Sequence, residues 1–345
     1  MKRKKRIFII ISSFISLCAV LFVASHGVEG RREIISLWPE IEPFKTGYLK
    51  VSGIHEIYYE LSGNPKGKPV FFLHGGPGGS SSPYMRRFCN PEKFLIVLYD
   101  QRGSGRSRPY GEIKDNTTQF LVDDIERLRK HLKLGKVILF GGSWGTTLGL
   151  SYAEAYPENV SGMILRGVFT ATKEEIDHFY HGGVARFFPE IYGALLDSLP
   201  EPSKRPLHEY LFRLIHDGSQ AEKDKYSKAW ARYEIKISGL VVPDKVVEDF
   251  IRDYNPYAFG LLENFYMANG CFLKENQLWN NIKKISNIPT IIVNGRYDVI
   301  CPPKAAYRLH KSLPKSKIFI AEAAGHWMGE KPIQRALLKA MKDFE

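Results

Sequence analysis

The residues whose types and spacing could do chemistry are Ser143, Asp298 and His326. Ser143 sits in Gly141-Gly142-Ser143-Trp144-Gly145, after the apolar run 137–140 and before a helical pattern at 146–155. Strand, G-x-S-x-G, helix is the context of a nucleophile elbow, a tight turn that lifts the serine hydroxyl above a sheet. That hydroxyl is a poor nucleophile until a base takes its proton, and the base needs a third group to orient it. Asp298 follows the β-type run 290–293, in Asn294-Gly295-Arg296-Tyr297-Asp298. His326 follows the run 317–321, in Ala324-Gly325-His326-Trp327. Taken singly, an Asp after a strand is often a helix cap, and one histidine among 10 is usually structural. In the order Ser, Asp, His, each just past a predicted strand, they form a triad.

Acyl transfer also needs donors for the oxyanion of the tetrahedral intermediate. The backbone N–H of Trp144, the residue after the nucleophile, is one candidate. The early loop His74-Gly75-Gly76-Pro77-Gly78-Gly79 supplies the other, assigned to Gly76. A phosphate cradle is the rival reading of this glycine run. It lacks both a Gly-Lys-Ser/Thr ending and a G-x-G-x-x-G frame. His74 reads as structural.

These residues need a scaffold that brings strand ends together. Runs at 47–51, 54–61, 70–73, 95–99, 137–140, 163–165, 290–293 and 317–321 read as strands. Residues 117–132 carry a helical stripe capped by Asn116 or Thr117, and 331–344 read as a final helix. Short apolar strands alternating with amphipathic helices predict an α/β fold, a mostly parallel sheet covered on both faces. The alternation breaks between about 170 and 285, where Pro189, Pro200, Pro202, Pro206 and Pro243 punctuate helical stretches. The expected organisation is a leader at 1–30, a core of 31–169 and 286–345, and an inserted helical cap at 170–285.

The net charge of +12 is concentrated at the start, in Lys2, Arg3, Lys4, Lys5 and Arg6. No basic stripe interleaved with aromatics follows, so nucleic acid is not an expected partner. The uncharged run 7–24 would span about 27 Å as a helix, close to the hydrocarbon core of a bilayer. It reads as a signal anchor in preference to a cleaved signal peptide; on either reading the catalytic part is exported, tethered to the membrane or released after cleavage. Cys18 lies in this leader. Cys89, Cys271 and Cys301 show no metal-ligand spacing and read as buried reduced thiols, though a disulfide between two of them stays open. No metal or organic cofactor is expected.

The motifs together resemble the proline iminopeptidase family of α/β-hydrolase serine peptidases, over roughly residues 36–345. The resemblance rests on His74-Gly75-Gly76-Pro77-Gly78-Gly79, Asp100-Gln101-Arg102-Gly103-Ser104-Gly105-Arg106-Ser107, the elbow, Leu165-Arg166-Gly167-Val168-Phe169 and Gly295-Arg296-Tyr297-Asp298. It implies an α/β-hydrolase fold with a helical cap, and cleavage after an N-terminal proline. It further implies recognition of the free amine by Glu234, in Trp230-Ala231-Arg232-Tyr233-Glu234, and by Glu263, in Glu263-Asn264. Carboxylates suit that task because a buried ammonium is costly unless paired. By the same resemblance Phe169 and Cys301 line the substrate pocket, and Arg166 is a structural ion partner. The chain departs from the family pattern at Tyr180-His181-Gly182-Gly183, after Glu263-Asn264, at Trp327 and in its leader.

The resulting expectation is a serine exopeptidase acting on peptides with a free N-terminus. The alternatives are an esterase or amidase for a small acyl substrate and a non-catalytic ligand-binding protein of the same fold.

Overall fold

The computed structural model describes residues 36–345. The leader at 1–30, with its anchor reading and Cys18, lies outside the described residues. Among the described residues no helix is long and apolar enough to cross a membrane.

An 8-stranded sheet organises the chain, in the order β1-β2-β4-β3-β5-β6-β7-β8. The strands are β1 (Lys45–Lys50), β2 (Glu56–Gly63), β3 (Lys68–Leu73), β4 (Phe94–Tyr99), β5 (Val137–Gly142), β6 (Val160–Arg166), β7 (Thr290–Gly295) and β8 (Ser316–Ala321). β2 pairs antiparallel with β1 and with β4, and every other pairing is parallel. Every residue of β4 and of β7 is buried. That is why 94–99 and 291–293 are apolar runs: a strand covered on both faces has no solvent side to fill, and the buried polar residues of β7, Thr290 and Asn294, are hydrogen-bonded to backbone.

The core helices follow the same logic. α1 (Pro83–Arg86) is a single turn. α2 (Thr118–His131) buries Leu121, Val122, Ile125 and Leu128, and ends in Arg129, Lys130 and His131, where the helix dipole favours cations. Its cap differs from expectation. Thr117 occupies the N-cap position without a side-chain bond, and Asn116 instead donates to the carbonyls of Arg102 and Glu112. α3 (Trp144–Ala155), which leaves the elbow, is buried along nearly its whole length.

Between β6 and β7 the chain is helical. It forms α4 (Lys173–Tyr180), α5 (Pro189–Asp197), α6 (Leu207–Asp217), α7 (Gln220–Ile237), α8 (Asp244–Asp253), α9 (Tyr257–Ala268) and the short α10 (Gln277–Asn280). Three of the prolines mark starts, where a fixed φ and a missing N–H are tolerated, while Pro200 and Pro202 lie between α5 and α6. Pro189 opens α5, and Pro206 and Pro243 precede α6 and α8. α4 and α7 each begin with a capping box, Thr172 with Glu175 and Ser219 with Glu222. After β7 come α11 (Pro303–Ser312) and, beyond β8, α12 (Lys331–Lys342).

Candidate active site

The sheet order places the candidate residues. β5, β6, β7 and β8 are successive parallel neighbours, so their C-terminal ends lie side by side. Ser143 follows β5, Arg166 ends β6, Asp298 follows β7 and His326 follows β8. β3 pairs with the other edge of β5, which brings the loop after it, His74 onward, to the opposite flank of Ser143. Neighbouring strands are about 4.8 Å apart, so four loops distant in sequence converge within side-chain reach.

Ser143 has φ 55° and ψ −126°, a conformation that costs a non-glycine residue free energy and is held by its surroundings. Its N–H donates to the Arg166 carbonyl at 2.9 Å, and its own carbonyl accepts from Thr146 N at 2.8 Å. The flanking glycines are sterically required. A β-carbon at Gly145 would lie 2.0 Å from the Leu73 carbonyl oxygen, and one at Gly141 would lie 2.3 Å from that of Gly145. The elbow can therefore form only where chain meets chain without side chains.

Asp298 and His326 are 3% and 7% exposed, and His326 Nδ1 stands 2.7 Å from Asp298 Oδ2. The other carboxylate oxygen, Oδ1, accepts the N–H groups of Ile300 (3.0 Å) and Cys301 (2.8 Å). The carboxylate is thus locked in rotation, with one oxygen turned to the imidazole. That arrangement places the ring proton on Nδ1 and leaves Nε2 as an acceptor.

Arg166 takes up that acceptor. Its Nη1 lies 3.0 Å from His326 Nε2 and donates to the His326 carbonyl at 3.0 Å. Burial lowers the pKa of the guanidinium, and the nearby charge of Asp298 opposes the shift. Arg166 therefore touches the base itself, a closer relation than an ion partner at a distance. Cys301 lies close enough to Ser143 for the hydroxyl to act on its thiol. Burial raises the Cys301 pKa well above that of an ordinary thiol, with the Asp298 charge adding to the rise. Cys89, Cys271 and Cys301 are all free and buried.

The glycine loop packs against the nucleophile. A β-carbon at Gly75 would lie 3.3 Å from Ser143 Cβ, and Gly76, next in the chain, has φ 103°. His74 is buried, and burial lowers its pKa. Its Nε2 accepts the Gln101 N–H at 3.0 Å. The Gln101 side chain donates to the His74 carbonyl (2.9 Å) and accepts from the Trp144 indole (2.9 Å). Gln101 thereby braces both loops assigned to the oxyanion, a role its place in a quoted motif did not disclose.

Phe169 is buried and its backbone is bound to the elbow helix. Its N–H donates to Thr146 Oγ1 at 2.9 Å, and its carbonyl accepts from Thr147 Oγ1 at 2.7 Å. The two glutamates meet each other, although α7 carries Glu234 and α9 carries Glu263. Their carboxyls are within hydrogen-bonding reach, and burial raises the pKa of both. Glu263 is 2% exposed and accepts the Trp230 indole N–H at 2.7 Å, while Glu234 Oε2 is shielded and has no protein partner. Tyr180 stacks on Trp230 with ring centroids 4.9 Å apart. A carboxyl pair with an open acceptor, walled by aromatic rings, suits a cation with N–H donors. Among the described residues no group of His, Cys, Asp and Glu could hold a metal ion.

Known proteins resemble this chain over most of its length. A family model described as "alpha/beta hydrolase fold" matches residues 68–331. The chain is 42% identical to the "probable proline iminopeptidase" of Leptolyngbya boryana, covering 89% of this chain and 96% of that protein. It is 44% identical to a proline iminopeptidase of Neisseria meningitidis, covering 88% and 97%. Among solved structures, an esterase from Exiguobacterium antarcticum superposes with a TM-score of 0.61 at 20% identity, over 87% of this chain and 99% of that one. That last likeness concerns the fold alone. The chain belongs to the proline iminopeptidase family, on an α/β-hydrolase fold.

Proposed function

We propose that the protein is a serine exopeptidase that releases an N-terminal residue, preferentially proline, from peptides. The observation that carries this reading is a locked Asp298–His326 dyad and a strained Ser143 at the ends of neighbouring parallel strands, together with a carboxyl pair, Glu234 and Glu263, that keeps one shielded acceptor unpaired. Ser143 Oγ attacks the carbonyl carbon of the first residue. His326 Nε2 accepts the serine proton and returns it to the departing amine, while Asp298 stabilises the imidazolium. For this, Arg166 must yield Nε2 to Ser143 when substrate enters. The N–H groups of Gly76 and Trp144 stabilise the oxyanion, each worth about 3 kcal/mol. Water then hydrolyses the acyl-enzyme by the reverse proton path. Glu234 and Glu263 hold the substrate ammonium, so only a free N-terminus sets the register. Phe169 and Cys301 border the pocket for the first side chain.

Two organisational readings accompany this. Residues 170–285 act as the cap that delivers the glutamates to the core. Residues 7–24 anchor the enzyme to a membrane with its catalytic part exported, a reading supported by the charge-free run behind five cations. Fractionation of full-length protein, with recovery in the soluble fraction, would remove the anchor.

The activity is tested with Pro-, Ala- and Leu-arylamides beside an N-acetyl ester. Cleavage of the Pro-arylamide in preference to the others is expected, and cleavage of the ester alone would defeat the reading. Glu234→Gln should raise KM for free-amine substrates by about 10-fold or more, since a hydrogen bond to a charged group is worth about 1.5–3 kcal/mol. It should spare the N-acetyl ester, and equal effects on both would remove Glu234 from amine binding.

A further inference from the structure

The loop that carries His326 is tied to the helix that carries Glu234. Helix α7 ends at Ile237 and Ser238 is its C-cap. The Ser238 carbonyl accepts two N–H groups, from His326 at 2.8 Å and from Trp327 at 2.7 Å. One carboxylate reinforces this contact from both sides. Glu330 accepts the N–H of Leu240 on Oε1 at 3.0 Å and the N–H of Gly325 on Oε2 at 2.6 Å.

Glu330 occupies the N-cap position of α12 yet makes no side-chain cap bond to that helix. Both its oxygens are committed across the gap, to residues 240 and 325. Hydrogen bonds from backbone N–H to a carboxylate are charge-assisted and stronger than neutral ones. The two backbones also approach closely: a β-carbon at Gly325 would lie 3.3 Å from Gly239 Cα. Glu234 precedes Ser238 by one helical turn.

We propose that Glu330 is a positioning residue, which clamps the His326 loop to the end of α7 and so sets amine recognition and proton transfer from one shared backbone element. The Glu234 half rests on the amine-binding reading above, whereas the His326 half does not. Without the clamp, the tie between this loop and the end of α7 is reduced to the two bonds to Ser238, and the backbone that carries His326 is free to shift against the Asp298 and Arg166 contacts of its ring. A misplacement of about 1 Å at a reacting group can cost about 100-fold in rate.

The test uses Glu330→Ala and Leu240→Pro in the full chain, with thermal midpoints recorded. Leu240→Pro removes the N–H that reaches Glu330 Oε1, together with an exposed side chain, and restricts the backbone at 239–240. Two readouts are followed. The first is kcat and KM on the Pro-arylamide. The second is phosphonylation of Ser143 by a small phosphonofluoridate, in which Oγ–P forms, P–F breaks, fluoride leaves and His326 takes the serine proton. For Glu330→Ala, kcat should fall about 10- to 100-fold, phosphonylation should slow by a similar factor, and KM for the Pro-arylamide should rise by more than about twofold as the Glu234 helix loses its tie to the loop. Leu240→Pro should shift both rates in the same direction by less. Wild-type kcat and phosphonylation in both variants would overturn the proposal, as would a raised KM at unchanged kcat. If Glu330→Ala does not fold, Leu240→Pro decides alone. If the wild type leaves the Pro-arylamide intact but is phosphonylated, the exopeptidase reading fails and the phosphonylation rates still judge Glu330.

Discussion

Replacing Asp298 by Asn isolates the orienting role of the carboxylate, because the structure dictates how the amide must sit. Oδ1 accepts two backbone N–H groups, from Ile300 and Cys301. An NH2 group in that position would face both donors, so the amide oxygen must stay there. The NH2 then occupies the place of Oδ2, 2.7 Å from His326 Nδ1. It can only donate, which forces the lone pair onto Nδ1 and the proton onto Nε2. A protonated Nε2 cannot accept the Ser143 proton. It also meets Arg166 Nη1, a second donor, at 3.0 Å. The variant keeps the packing and reverses the tautomer. The corresponding change in a serine protease of unrelated fold lowers kcat about 10⁴-fold, or about 5.4 kcal/mol. A loss of that order in kcat on the Pro-arylamide is expected, with KM and the thermal midpoint little changed. A loss below about 10-fold would refute the assignment of Asp298 as the group that selects the His326 tautomer.

Two further outcomes follow from the same geometry. Burial and the Glu234 charge raise the folded-state pKa of Glu263 above its ordinary value of 4.5. The folded state therefore holds the proton more tightly than the unfolded one, and stability falls as pH rises above about 4.5 toward that raised value. Glu263→Gln keeps an acceptor for the Trp230 indole and removes this penalty. Its thermal midpoint should exceed that of the wild type at pH 8 by more than at pH 5, measured by calorimetry without ligand; the opposite trend would contradict the buried-pair description. Gly145→Ala should destabilise the fold by about 3 kcal/mol or more, because its methyl would meet the Leu73 carbonyl at 2.0 Å with backbone on both sides. Wild-type stability by denaturant unfolding would show that the elbow tolerates a side chain.

The elbow and its partners were legible because each depends on short-range chain geometry. Gly141 and Gly145 report a turn that excludes side chains, and apolar runs of strand length report burial on both faces. The prolines were legible as punctuation for the same reason, since a fixed φ and an absent N–H act within one residue; Pro189, Pro206 and Pro243 stand at helix starts and Pro200 and Pro202 lie between helices. The side-chain cap expected at Asn116 or Thr117 was misread because the Asn116 amide found carbonyls of Arg102 and Glu112, which local sequence does not display.

What the sequence determined by itself was the set of chemical groups, Ser143, Asp298 and His326, their order, and the strands that precede them. The tertiary structure alone decided who touches whom. The strand order β5-β6-β7-β8 delivers Arg166 to His326 Nε2, and helices α7 and α9 bring Glu234 against Glu263. The Glu330 carboxylate reaches Leu240, 90 residues away along the chain. No periodicity encodes such pairs, because their contact follows from how the sheet and helices pack and not from the local conformation of either partner.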